Sequence, residues 1–157
     1  MKERSVQHAT FVIERRYDAT PARVFAAWSQ ADAKARWFRG PDEAAPPKSD
    51  FDFRVGGRER SRGRVPNGPT YSFDALYQDI VPNQRIVYSY DMHLDDRRIS
   101  VSVATIELVP DGSGTRLVVT EQGAYLDGLD QPAQREQGTR ELLEKLGAEL
   151  QRSARDA

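Results

Sequence analysis

Between residues 9 and 17 side chains alternate in period two: Phe11, Ile13, Arg15 and Tyr17 on one parity, Val12, Glu14 and Arg16 on the other. That alternation, rich in β-branched and aromatic residues, predicts a strand. The period then changes. Val24, Phe25 and Trp28 recur at helical spacing behind Thr20-Pro21, where a threonine can cap free amides and a proline loses nothing by lacking an N–H. A second short helix restarts at Ser29, with Asp32 three positions on as a variant capping box, and closes at Arg39-Gly40-Pro41. Trp37 and Phe38 stand at its exit.

Residues 41–50 read as a proline-rich loop, and Phe51, Phe53 and Val55 as a strand ending at Gly56-Gly57, where a tight turn is easy. Residues 58–65 put Arg58, Arg60, Arg62 and Arg64 on one side and Glu59, Ser61 and Gly63 on the other, the look of a charged edge strand. After a turn at 66–69, strands are predicted over 71–81, 85–93, 98–109 and 115–122, joined by connections short enough for antiparallel hairpins. One long helix follows, with Asp130 as its cap and Pro132 in its first turn. Leu142, Leu143, Leu146 and Leu150 share one face of it, extended by Gly138, Thr139 and Gly147, and Glu136–Arg140 and Glu141–Lys145 stand at i,i+4 on the wetter side. A sheet of this length must cover one face, and only this helix is long enough to do so. Without repeats or linkers, residues 1–157 are expected to form a single domain.

Composition removes many chemistries. The 23 basic and 24 acidic side chains nearly cancel, so no long-range field draws the chain to nucleic acid. Cysteine is absent, which excludes disulfides, thiolate nucleophiles, iron–sulfur clusters and cysteine-ligated zinc. With only His8 and His93, a metal centre or histidine relay has little material, and no metal and no cofactor are expected. His93, beside Asp91, Asp95 and Asp96, reads as a solvated hairpin end. No apolar run is long enough to span a bilayer, and the polar opening over residues 1–10 resembles no secretory signal, so a cytoplasmic location is expected. Hydrolase, Walker, dinucleotide and zinc-protease motifs are all missing, which lowers the expectation of an enzyme.

Several segments in joint order carry a family likeness: residues 15–28, ending Val24-Phe25-Ala26-Ala27-Trp28; residues 36–41; Phe53-Arg54-Val55-Gly56-Gly57; residues 80–88; and Gly114-Thr115-Arg116-Leu117 with Thr120-Glu121. By these the chain resembles the activator of heat-shock protein 90 ATPase homologue (AHSA1-like) family of the SRPBCC, or START-like, superfamily. The resemblance implies an α+β helix-grip fold, also called Bet v 1-like. In it a curved antiparallel sheet of seven strands wraps a long C-terminal helix, with two short helices after the first strand. It also implies a cavity between sheet and helix which, in related START-like proteins, accepts apolar or aromatic molecules. The chain departs from the family at Gly138-Thr139, where members often carry Gly-Trp.

These readings converge on a binding domain for a small hydrophobic or aromatic ligand. Trp28, Trp37 and Phe38 would form its apolar end, Phe73, Tyr88 and Tyr90 its walls, and Glu121 or Glu59 its polar anchor. Either glutamate shares the parity of inward apolar residues, and its bland reading is an ion pair with an arginine such as Arg54 or Arg15. Two alternatives stand beside this one: a START-like cyclase or hydrolase using an inward glutamate as acid or base, and a co-chaperone-like module meeting a chaperone through the arginine edge. The sequence leaves oligomeric state open, a homodimer included.

Overall fold

The computed structural model describes residues 3–39, 48–64 and 67–155. The elements run β1 (Val6–Tyr17), α1 (Pro21–Ser29), α2 (Ala31–Trp37), β2 (Lys48–Phe51), β3 (Arg58–Arg64), β4 (Thr70–Val81), β5 (Arg85–Leu94), β6 (Arg97–Asp111), β7 (Gly114–Leu126) and α3 (Pro132–Arg155). The strands form one antiparallel sheet in the order β1-β7-β6-β5-β4-β3-β2. The first strand therefore pairs with the last, and the helix pair carries the chain from one edge of the sheet to the other. This is the α+β helix-grip fold that the family resemblance implies.

Period-two burial sorts the sheet into an inner face, bearing Ile13, Tyr77, Ile86, Ile106 and Leu117, and an exposed outer face on which Val12, Val101 and Val103 stand among polar residues. Against the inner face lie Leu143, Leu146 and Leu150 of α3. Tyr17 fixes the helix over β1: its hydroxyl donates to the Leu143 carbonyl at 2.7 Å, and its ring lies close enough to Gly147 that a Cβ there would approach it to 3.3 Å. Arg23 of α1 reaches the far end of α3, donating to the Leu150 carbonyl at 2.7 Å.

Two irregularities bend the sheet. The register of β4 with β5 shifts between Tyr77 and Asp79, leaving Gln78 as an extra residue, and that of β5 with β6 shifts at Met92/His93 opposite Ile99. The second bulge turns two consecutive residues inward, so that Ile99 and Ser100 are both buried, which strict alternation would forbid.

Several boundaries differ from expectation. Thr20 does cap α1, its side chain accepting from the Arg23 N–H, but α2 is entered through Gln30, in extended backbone, rather than through a Ser29 capping box. Phe53 and Val55 lie beyond β2, which ends at Phe51; the chain turns over 52–57 instead, and Val55 is exposed. The turn needs both glycines, because Gly56 has φ +84° and a Cβ on Gly57 would lie 2.1 Å from the Asp52 carbonyl oxygen. The arginine-rich β3 is not an edge, since β2 pairs along it outside. Asp130 precedes α3 by two residues, and its carboxylate accepts from the Gln131 N–H and from Arg135. Glu136 and Arg140 do pair, at 2.8 Å, whereas Lys145 donates to the Arg39 carbonyl. The loop expected at 41–50, as far as residue 47, and residue 66 of the turn at 66–69 lie outside the described residues. Among the described residues no helix is long and apolar enough to cross a membrane.

Candidate functional site

The inward positions of β4 and β5 bring Phe73, Tyr88 and Tyr90 together, Phe73 lying 4.8 Å from Tyr90 and 6.2 Å from Tyr88 between ring centroids. The helix pair supplies the next rings. Trp37 packs edge-on at 4.8 Å from Trp28 and 5.5 Å from Phe38, and Phe38 meets Phe73 at 5.2 Å. Trp37 can be buried because its indole N–H donates to the Ala27 carbonyl at 3.0 Å, which also locks α2 onto α1.

Between this aromatic layer and α3 lies a cavity of about 510 Å³, within the range of about 300–1,000 Å³ usual for small-molecule sites. Seven of the eight residues singled out in the sequence, Trp28, Trp37, Phe38, Phe73, Tyr88, Tyr90 and Glu121, lie on its wall. Helix α3 contributes Arg135, Gly138, Thr139 and Leu142. A Cβ on Gly138 would meet nothing within 4 Å, so the helix leaves this space open by lacking a side chain there.

The polar end is built around Glu121. Its Oε1 accepts the Tyr90 hydroxyl at 2.9 Å, while its Oε2 is buried without a hydrogen-bond partner, the nearest cation being Arg135 at 3.9 Å. Arg135 is already engaged, donating to the Tyr90 hydroxyl oxygen at 2.9 Å, to Ser100 Oγ at 2.8 Å and to Asp130. The bulge in β6 that faces Ser100 inward thus supplies one of the groups holding the guanidinium. Burial raises the Glu121 carboxyl above the ordinary range, against the pull of Arg135 and of the Tyr90 hydrogen bond. Burial likewise raises Tyr90, and it pushes the neighbouring Tyr125 hydroxyl up to about 12. A carboxyl raised in this way takes up a proton more readily, and in its protonated form it can donate a hydrogen bond. Two other wall residues have buried polar atoms without partners, Trp28 at Nε1 and Tyr71 at its hydroxyl.

Glu59 faces inward as its parity predicts, yet it does not line the cavity. Its Oε1 is taken up 2.6 Å from Lys34 Nζ and accepts the Tyr77 hydroxyl at 2.5 Å. The partner is thus a lysine of α2, not Arg54 or Arg15, and Arg54 pairs with Asp52 at the surface instead. A carboxylate so satisfied is unsuited to anchor a guest.

The model of the family described as "Activator of Hsp90 ATPase homolog 1-like protein" matches residues 18–151. The chain belongs to this family. Among solved structures similar to it, the Mll3558 protein of Rhizobium loti is 51% identical with a TM-score of 0.85, covering 92% of this chain and 99% of that one. A protein of Rhizobium leguminosarum is 44% identical, with a TM-score of 0.87 and coverage of 96% and 99%. Protein CV1439 of Chromobacterium violaceum is 27% identical, with a TM-score of 0.77 and coverage of 88% and 94%. No curated protein matches the chain.

Within this Activator of Hsp90 ATPase homolog 1-like fold, sequence reading missed two charged residues that organise the interior. Arg135 stands seven, four and three residues before Leu142, Thr139 and Gly138, so a cation on the apolar stripe was the signal for it. Lys34 stands three before the buried Trp37 and shares its face. His93 lies near Asp74 and Asp91, and both carboxylates are compensated, by Arg60 at 2.7 Å and Arg98 at 3.0 Å.

Proposed function

We propose that the chain binds a small, partly apolar molecule in the cavity between the sheet and α3. One observation carries this reading: Glu121 Oε2, on the wall of an otherwise largely aromatic and aliphatic cavity, is buried without a hydrogen-bond partner. Leaving such an atom unpaired costs about 1–3 kcal/mol or more, a cost that a guest's polar atom would remove. Catalysis is less well supported. Tyr90 is held protonated by burial, Arg135 is charged, and Asp130 is tied to Arg135, so Glu121 has no basic partner close by to share acid–base work. Docking to a chaperone through the arginines of β3 also draws little support, because Arg60 is already spent on Asp74.

A panel of uncharged aromatic and alicyclic molecules titrated into the native protein tests the reading. At a hundred times its Kd a ligand adds about 2.7 kcal/mol of stability, so a saturable rise in melting temperature is expected. No rise with any member of the panel overturns the proposal.

A further inference from the structure

The chemistry of the guest can be taken further on the same reading. The wall atoms that lack partners are Glu121 Oε2, Trp28 Nε1 and the Tyr71 hydroxyl. An indole nitrogen only donates, a tyrosine hydroxyl can donate, and a neutral carboxyl donates through its O–H. The unsatisfied groups therefore call for acceptors.

Charge narrows the choice again. Arg135 is the cation of this end and is hydrogen-bonded to Asp130, so the pair is balanced and Glu121 is the surplus carboxyl. Tyr88 and Tyr90 from β5, Tyr125 from β7, Asp130 just before α3 and Arg135 in its first turn are the titratable and charged groups around it. A ligand carboxylate at Oε2 would meet Glu121 and Asp130, and Arg135, the cation beside that oxygen, is already bonded to Asp130. A ligand ammonium there would sit beside Arg135, only 3.9 Å behind that oxygen. Both ions would also leave water for a largely aromatic and aliphatic cavity, which is costly.

We infer that the guest is uncharged at its polar end and presents a carbonyl-type acceptor oxygen, which takes a hydrogen bond from Glu121 Oε2–H. Glu121 is then a hydrogen-bond donor that selects against fatty-acid-like anions and against amines. The upward displacement of the Glu121 carboxyl by burial supports this geometry. Binding should be independent of pH while Glu121 is protonated and weaken about tenfold per pH unit above its raised value, because only the protonated form donates.

Four probes share one skeleton: naphthalene, acetylnaphthalene, naphthoate and naphthylmethylamine. Calorimetric titration of the native protein below the Glu121 transition should find acetylnaphthalene bound about tenfold more tightly than the other three, the worth of one good buried hydrogen bond. Glu121→Gln keeps an N–H donor and should retain that preference while flattening its pH dependence. Glu121→Leu should reduce acetylnaphthalene to the affinity of naphthalene. Naphthoate or the amine binding tightest, acetylnaphthalene binding no better than naphthalene, or a ketone preference surviving in Glu121→Leu would overturn the inference and leave the cavity reading standing. If no probe binds the native protein, the cavity reading falls and takes the inference with it.

Discussion

Lys34 Nζ on α2 and Glu59 Oε1 on β3 lie 2.6 Å apart, with side chains only 4% and 5% exposed. The ammonium also sits 4.3 Å from the centre of the Phe38 ring and donates to the Tyr77 hydroxyl oxygen at 3.3 Å. The pair is thus a polar strut that sets where α2, with its Trp37 and Phe38, meets the sheet. Removing one partner strands the other charge, a loss of about 3–5 kcal/mol, whereas replacing both is far cheaper. Lys34→Met should lower stability by that amount in urea denaturation. Lys34→Met with Glu59→Gln should recover most of it, since the glutamine oxygen can still accept from Tyr77. Simple additivity of the two single changes would show that the pair is not coupled.

Two glycines should respond in opposite directions to the same substitution. Gly57 has the Asp52 carbonyl oxygen 2.1 Å from where a Cβ would stand, and its own N–H and C=O bond to Arg54 and Tyr77. Gly57→Ala must displace backbone, and a loss above about 2 kcal/mol is expected. Gly138 lies within α3 with nothing near the added methyl, so Gly138→Ala should gain about 0.4–1 kcal/mol through reduced freedom of the unfolded chain. Chemical denaturation midpoints of the two variants check both signs.

The pH dependence of stability should carry two opposed contributions. Glu121 has a folded-state value raised above its unfolded one by burial, so the native state binds the extra proton. Its contribution is fully present below the unfolded value, near 4.5, and is lost as pH rises through the raised one. Glu149 is lowered, chiefly by its hydrogen bonds from Arg152 and Arg36 against the effect of burial, so its contribution is present above the unfolded value and lost as pH falls. Denaturation of wild type, Glu121→Gln and Glu149→Gln across acidic to neutral pH separates them. The Glu121→Gln variant should gain on wild type as pH rises above 4.5, and Glu149→Gln should gain on it as pH falls. A wild-type-minus-Glu121→Gln difference that stays flat with pH would contradict the upward displacement of this carboxyl by burial.

What was legible in the sequence follows from how local each signal is. Alternation and helical spacing depend on neighbours in the chain, and they place the strands, the three helices and the inward side of Phe73, Tyr88, Tyr90 and Glu121. Features made by distant contacts are less readable. The Ile99 bulge breaks the period by one residue and hides Ser100. Glu59 finds its partner 25 residues away on a helix, so parity could show that it points inward but not that Lys34 had already claimed it. Phe53 continues the alternation of Phe51 in sequence, yet the tight turn at Gly56-Gly57 ends the strand earlier. Arg135 was overlooked because a charged residue on a helix reads as solvent-facing until the stripe it occupies is traced.

Thr139 offers the sharpest separation of cavity from fold. Its side chain lies on the cavity wall, and its hydroxyl donates only to the Arg135 carbonyl one turn back, at 2.9 Å, a bond whose loss costs about 1 kcal/mol. An indole here would project into the 510 Å³ space that Gly138 leaves open. It would gain buried apolar area, worth about 25 cal/mol per Å², so Thr139→Trp should fold with stability at least near that of wild type. Its affinity for naphthalene should nevertheless fall by about tenfold, because the indole takes the part of the cavity beside Gly138. Thr139→Val, which removes the hydroxyl without filling the space, should bind as wild type does. Undiminished binding by a well-folded Thr139→Trp would mean that the guest does not occupy the part of the cavity beside Thr139 and Gly138.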